Sequence, residues 1–325
     1  MAYDKGTWTN EVLEGSAPVY TLKRYADNSI IDDDVLIEIK NVTTEGSLLS
    51  AAAMDNIETG IETLDLLFDV TTGHNHDGTN SKKISFPNII DTPFINNAGA
   101  HNSIYRGISL GTSVSAAQYT AIAAGTFDDM YIGDYWTIGG VVWRIWHFNY
   151  YYNVGDANCT TPHVTIVPDT CLYNAQMNAT DVVTGAYAGS AMYTTNLAQA
   201  KTAINAAFGE AHILSHRVLL TNVVSENAAT SWAWYDSTVE LLTEHQVYGA
   251  RAFGAPANNG YGIASQDGQF AAASLHHAII HNRNNYWLQD VVSATGFAGV
   301  DLTGRAGYGD ASYSLGVRPA FSIIG

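Results

Sequence analysis

The sequence predicts an α+β chain in four parts: an attachment segment over residues 1–45, a short coiled-coil helix over 46–72, a histidine motif with an extended linker over 73–104, and a mixed head over 105–325. Three patterns carry that reading. Apolar residues from Met54 to Phe68 recur at spacings of three and four, as on one helical face. Met130 to Phe148 alternates and breaks at Gly139-Gly140, the pattern of a β-hairpin. Asn196 to Phe208 returns to helical spacing, so the head mixes strand and helix.

The first part is made of short polar and aromatic pieces: Trp8, Tyr20, Tyr25 and the run Ile30-Ile31-Asp32-Asp33-Asp34. Val35 to Ile39 reads as a strand. We expect a segment that docks on another protein; a small β-rich domain fits the same residues. A helix follows from Leu48 to Phe68, with Ser47 as its N-cap. Met54, Ile57, Ile61, Leu64 and Phe68 form a two-heptad seam, with Asp55, Glu58, Glu62 and Asp65 on the outer face. Isoleucine at both core positions leans toward trimers. Two heptads are too short to hold a trimer alone, so partner chains must also meet elsewhere. An amphipathic helix packed on its own domain is the alternative.

The seam leads into Gly73-His74-Asn75-His76-Asp77-Gly78. In an extended backbone, side chains at i and i+2 share a side, so one chain offers two imidazoles there. Three parallel chains offer 2 × 3 = 6, enough for an octahedral nitrogen shell. Zinc usually takes four ligands, so six nitrogens point first to iron, with nickel or cobalt behind it. The motif resembles the His-x-His elements of bacteriophage tail fibres, matched here by Gly73, His74, His76 and Gly78. The resemblance implies a homotrimer with iron, or another octahedral transition metal, shared by three chains. A solvated turn that happens to hold two histidines is the bland alternative.

Pro87 and Pro93 break regular pairing in the linker, and the head is expected to begin near Ala98-Gly99-Ala100. Within the head, Ser115–Ala124 reads as a short helix and Val164–Pro168 as a strand. Leu197, Ala200, Ile204 and Phe208 share one face of the Asn196–Phe208 helix. Ile213–Leu220 and Val239–Val247 read as further helix or strand. Tyr286-Trp287-Leu288 is a short strand, the glycine-rich Gly296–Gly309 reads as turns, and Ser314–Ile323 as a terminal strand.

Tyr286-Trp287-Leu288 followed by Gly316-Val317-Arg318-Pro319-Ala320-Phe321 resembles the C-terminal signature of one branch of the C-type-lectin superfold. That branch holds formylglycine-generating-enzyme-like domains, tip domains of phage tail proteins and retroelement-diversified proteins. The resemblance covers roughly residues 105–325 and is specific in about the last forty. It implies a lectin-like head in which Trp287 and the Gly316–Ala320 strand are scaffold and Arg318 is buried and paired. Cys159 and Cys171 lie far upstream of where the reactive cysteine pair of those enzymes belongs, so oxidase chemistry is not expected. The Glu-Pro-Asn or Gln-Pro-Asp triplet and Trp-Asn-Asp run of calcium-dependent lectins do not occur either.

Composition bounds the function. The 325 residues are 46% hydrophobic but only 14% charged, against an ordinary charged share of roughly 25%. The net charge of −17 opposes nucleic acid and anionic membranes as partners. No run of 18 apolar residues exists and the N-terminus lacks an apolar signal core, so neither membrane insertion nor signal-directed export is expected. A virion protein made in the host cytoplasm and released by lysis reconciles these features with an extracellular type of surface. Cys159 and Cys171 are expected as free thiols, with a disulfide, or a weak metal site with His163, as alternatives. His276, His277 and His281 invite a metal reading, but Ala278-Ile279-Ile280 reads as a strand, which would hold positions 277 and 281 about 13 Å apart.

The candidate receptor-binding residues are Asn258, Asn259, Tyr261, Asn282, Arg283, Asn284, Asn285, Phe297, Arg305, Tyr308, Asp310 and Tyr313. Tyrosine gives rigid area with a polar tip, asparagine adaptable hydrogen bonding, and arginine carboxylate or phosphate recognition. No Gly-x-Ser-x-Gly elbow, Walker loop or other catalytic constellation appears, so no enzyme is expected. The expectation is a trimeric phage tail fibre or tail-tip protein. Its N-terminus would bind a tail or baseplate protein, and its heads a host-surface glycan or protein. The rivals are a cell-surface glycan depolymerase and a non-binding structural tail or capsid decoration protein.

Overall fold

The computed structural model describes residues 20–23, 27, 30–35, 51–67, 96–225, 228–254 and 268–325. The chain divides into two compact units, Met1–Pro93 and Phe94–Gly325.

In the first unit, β1 (Tyr20–Lys23) pairs antiparallel with β2 (Ile30–Val35). Strand β2 covers the acidic run and ends at Val35, the first residue of the strand expected at Val35–Ile39. Residues 36–39 lie outside the described residues, as do Ser47 and Phe68. Helix α1 covers Ala51–Leu67. Its faces are inverted relative to an ordinary surface helix. Ile57 is 50% exposed, Ile61 43% and Leu64 57%, whereas Glu58 is only 9% exposed. Asp55 and Glu62 are half-buried on Glu58's side. The sequence put Glu58 on the outer face; within one chain it is the apolar seam that faces out.

The second unit is α+β. It opens with a short helix, α2 (Ala98–His101), capped by Asn97, where an extended linker was expected. Six strands form one sheet: β3 (Ser109–Gly111), β4 (Tyr135–Ile138), β5 (Val141–Phe148), β6 (Val164–Pro168), β10 (Val239–Leu241) and β15 (Pro319–Ile323), in the order β10-β15-β6-β5-β4-β3. Five form another: β7 (Tyr173–Ala175), β11 (Tyr286–Val291), β12 (Gly296–Val300), β13 (Ala306–Asp310) and β14 (Leu315–Val317), in the order β13-β12-β11-β14-β7. Among the described residues, strands β8 (His216–Ser225) and β9 (Ala228–Ser237) pair only with each other. The β4–β5 hairpin turns at Gly139 and Gly140, both at positive φ, as the alternation predicts.

Helix α3 (Ala116–Ala124) starts at a Ser115–Gln118 capping box and stops at left-handed Gly125. In α4 (Leu197–Phe208) the four residues at helical spacing are all buried. Phe208 ends that face with its ring 5.6 Å from Trp143 and 5.2 Å from Phe321, so α4 closes onto the six-stranded sheet. The ambiguous Ile213–Leu220 and Val239–Val247 resolve into β8, β10 and the short helix α5 (Glu244–Tyr248), which is opened by a Thr243–Gln246 capping box.

Two further expectations are overturned. Gly296–Gly309 is not a run of turns: it contains β12 and β13, paired through Gly299 and Gly307. Glycine serves close approach here rather than turning. Ala278–Ile280 is not a strand: a short helix α6 (Ala271–Leu275) runs into a 3-10 turn at His277–Ile279, since three alanines favour helix and fill a tight, buried site.

A single residue separates β14 from β15, so the chain passes from one sheet to the other at Arg318. Its guanidinium is 1% exposed and donates to the carbonyls of Pro168 (2.8 Å), Ile280 (2.8 Å) and Ile279 (2.9 Å) and to the Tyr286 hydroxyl (3.3 Å). It also lies 5.0 Å from the centre of the Trp146 ring. Arg318 is therefore buried and paired, with carbonyls rather than carboxylates.

Candidate functional site

The site grows from the glycines of β12 and β13. A β-carbon on Gly296 would sit 2.7 Å from the Gly309 carbonyl oxygen, one on Gly299 2.9 Å from the Tyr286 carbonyl oxygen, and one on Gly309 3.0 Å from the buried Trp287 ring. Those three glycines are required by internal packing. Gly307 is not: a β-carbon there would meet nothing closer than the Gly299 carbonyl oxygen at 3.9 Å. Its missing side chain instead opens a shallow depression of about 210 Å³, lined among others by Asn285, Asp301, Tyr308, Tyr313 and Leu315.

Tyr308 and Tyr313 are 64% and 53% exposed. Asn285 Oδ1 accepts the Leu302 N–H at 2.8 Å, which fixes the amide, and its NH2 has no partner among the described residues. Asp301 accepts from the Thr303 hydroxyl (2.7 Å), the Thr303 and Arg305 backbone N–H groups (2.8 and 3.0 Å) and Arg305 Nε (3.0 Å). The Thr303 hydroxyl, with the backbone donors and Arg305, holds this carboxyl well below the usual carboxylate range. A second depression, of about 280 Å³, lies beyond the Asp301–Arg305 turn and is lined by His281, Arg283, Leu302 and Thr303.

The structure thus brings Asn285, Tyr308 and Tyr313 together and puts Arg283 in the neighbouring depression. Arg305 is exposed but tied to Asp301, and Asp310 accepts from the Thr295 hydroxyl at 2.9 Å. Asn284 is exposed. Asn282 serves the scaffold: Nδ2 donates to Cys171 Sγ and Oδ1 caps Asn284 N–H, turning the chain before left-handed Arg283. Phe297 must be withdrawn as a receptor contact, because its ring is 0% exposed within the β12 core. Asn258, Asn259 and Tyr261 lie outside the described residues, as do His74 and His76.

One contact was not foreseen. Phe253, 43% exposed, has its ring 5.3 Å from that of Tyr308. It is held there by Glu244, a fully buried carboxylate that accepts the N–H groups of Ala252 (3.2 Å), Phe253 (2.9 Å) and Gly254 (2.7 Å). Phe253 is the aromatic residue just before Asn258, Asn259 and Tyr261, and that proximity in sequence was the available signal.

Cys159 and Cys171 are free thiols, and burial pushes the Cys171 thiol up. His163 is buried with Nε2 accepting the Tyr151 N–H and Nδ1 against the Thr161 carbonyl, so neither nitrogen is open to a metal. Among the described residues no group of three or more His, Cys, Asp or Glu side chains could hold a metal ion. No helix among them is long and apolar enough to cross a membrane.

No protein-family model matches the chain, no curated protein matches it, and no solved structure matches its fold.

Proposed function

We propose that this chain is the subunit of a homotrimeric phage tail fibre or tail-tip protein that adsorbs to the host surface through a lectin-like head. The observation that carries the reading is the inverted helix α1. One chain buries Glu58 and leaves Ile57, Ile61 and Leu64 in water. Burying one such side chain is worth about 1.5–3 kcal/mol, so a second and a third copy covering the stripe would be strongly favoured. In sequence the helix is followed by His74 and His76, whose imidazoles, three pairs about an axis, would hold iron or another octahedral metal. The N-terminal 45 residues would attach to a tail or baseplate protein.

In the head, two exposed tyrosines, a free amide and Phe253 form a recognition surface on a rigid sheet. Three heads on one stalk would combine weak sites through avidity. The test is adsorption of the labelled full-length chain to a panel of bacterial cells, with envelope fragments assayed in the supernatant. Adsorption without released fragments is expected. Released fragments would favour a depolymerase, and no adsorption to any strain would favour a structural decoration protein.

A further inference from the structure

We propose that the depression between Tyr308 and Tyr313 takes one neutral hexose unit of a surface glycan, independently of metal. The inference deepens the adsorption reading and rests on it.

Size comes first. Pockets for drug-sized ligands span roughly 300–1,000 Å³; this one, at about 210 Å³ and open to solvent, suits a single ring. Its walls come second. A pyranose ring has apolar C–H faces and a rim of hydroxyls. A tyrosine offers the complement, a flat apolar ring with one polar tip. Tyr308 and Tyr313 are both more than half exposed, and the Asn285 NH2 is available as a fixed donor beside them. A sugar hydroxyl can accept from that amide and donate to a tyrosine oxygen at once.

Charge narrows the ligand. The ionisable group on the lining, Asp301, is a carboxylate, and Asp310 stands close by on the same strand pair. Of the nearby cations, Arg305 is already bound to Asp301, and Arg283 lines the neighbouring depression beyond the Asp301–Arg305 turn rather than this one. In a chain of net charge −17, that environment opposes uronates, sialates and phosphates. Nor does it call for a cation: Asp301 already accepts from four protein donors, so neither a metal nor an ammonium group is needed to satisfy it. A neutral polyhydroxylated ring remains.

Gly307 gives the means to test this. It is the one glycine of the β12–β13 pair whose side chain is not excluded by internal contacts, so its absence keeps the depression open without serving the fold. The full-length chain would be studied by saturation-transfer NMR with the methyl glycosides of glucose, galactose, mannose and N-acetylglucosamine. Methyl glucuronide and a lysine-rich peptide are the charged arms. At least one neutral glycoside should bind, with saturation concentrated on one ring face. Gly307→Val should weaken that binding by about tenfold or more, as should Tyr308→Ser, with both variants still folded as shown by a cooperative melting transition. The proposal is overturned if no neutral glycoside binds, if a charged probe is preferred, or if both variants bind as wild type does. Cell adsorption measured in parallel separates the two claims. Adsorption to cells with no neutral glycoside bound sinks the sugar site and spares the adhesin; sugar binding without adsorption to any strain does the reverse.

Discussion

Replacing Arg318 with methionine keeps the length of the side chain and removes every donor it carries. Four hydrogen bonds disappear. The Ile280 carbonyl still receives the Tyr286 hydroxyl at 2.7 Å, so it is not orphaned. The Pro168 and Ile279 carbonyls lose the guanidinium that reaches them. A buried acceptor left unsatisfied costs about 1–3 kcal/mol, so the two together cost about 2–6 kcal/mol. Methionine no longer brings a charge into the core, which offsets part of this. A net loss of about 3 kcal/mol follows, a large share of the roughly 5–15 kcal/mol that holds a domain folded. Urea unfolding followed by tryptophan fluorescence reads it well, because six of the seven tryptophans lie in the second unit. At a slope of about 3 kcal/mol per molar urea, the midpoint should fall by about 1 M. Arg318→Lys should fall in between, since one ammonium cannot span both sheets. A midpoint within about 0.2 M of wild type for Arg318→Met would refute the view that this guanidinium pins the sheets together.

Stability should peak close to pH 7. Burial depresses His147 to about 3, His163 to about 4 and His216 to about 3, so the unfolded chain takes up protons below about pH 6.5 that the folded chain refuses, and stability falls on acidification. Glu240 acts in the other sense: burial raises it from 4.5 to about 8, so its contribution is fully present below 4.5 and is lost as pH rises through 8. Urea midpoints across pH 4–9 check both limbs, and Glu240→Gln should flatten the alkaline limb and steepen the acid limb above about pH 4.5, where Glu240 opposes the histidines. Glu244→Gln should cost about 2 kcal/mol and free the Ala252–Gly254 backbone; amide exchange there should quicken while β11 stays protected, and unchanged exchange would contradict the anchoring role. Ile57→Asn with Ile61→Asn should reduce the sedimenting mass at low concentration, and an unchanged mass would remove α1 from the interface.

Local pattern made much of the head legible. Alternation around Gly139-Gly140, the Ser115 cap and the four-residue face of α4 each specify their own element. What stayed hidden depends on partners distant in sequence. The glycines at 296, 299 and 309 read as turns because only the Gly309, Tyr286 and Trp287 atoms opposite them reveal why no side chain fits. Phe297 looked like a loop aromatic for the same reason. The β8–β9 hairpin was half seen, since its alternation is weak and both strands are mostly half-buried. Of the site, Tyr308, Tyr313 and Asn285 were readable from residue type, whereas Phe253 needed the Glu244 carboxylate that fixes its loop.

Sedimentation mass combined with metal analysis, on the wild type and on His74→Ala/His76→Ala, bears most directly on the proposed threefold stalk. The wild type should sediment at about three times 35.0 kDa with one transition-metal ion per three chains, and the double variant should lose the metal. A metal-free wild-type species of 35.0 kDa would contradict the account at its root.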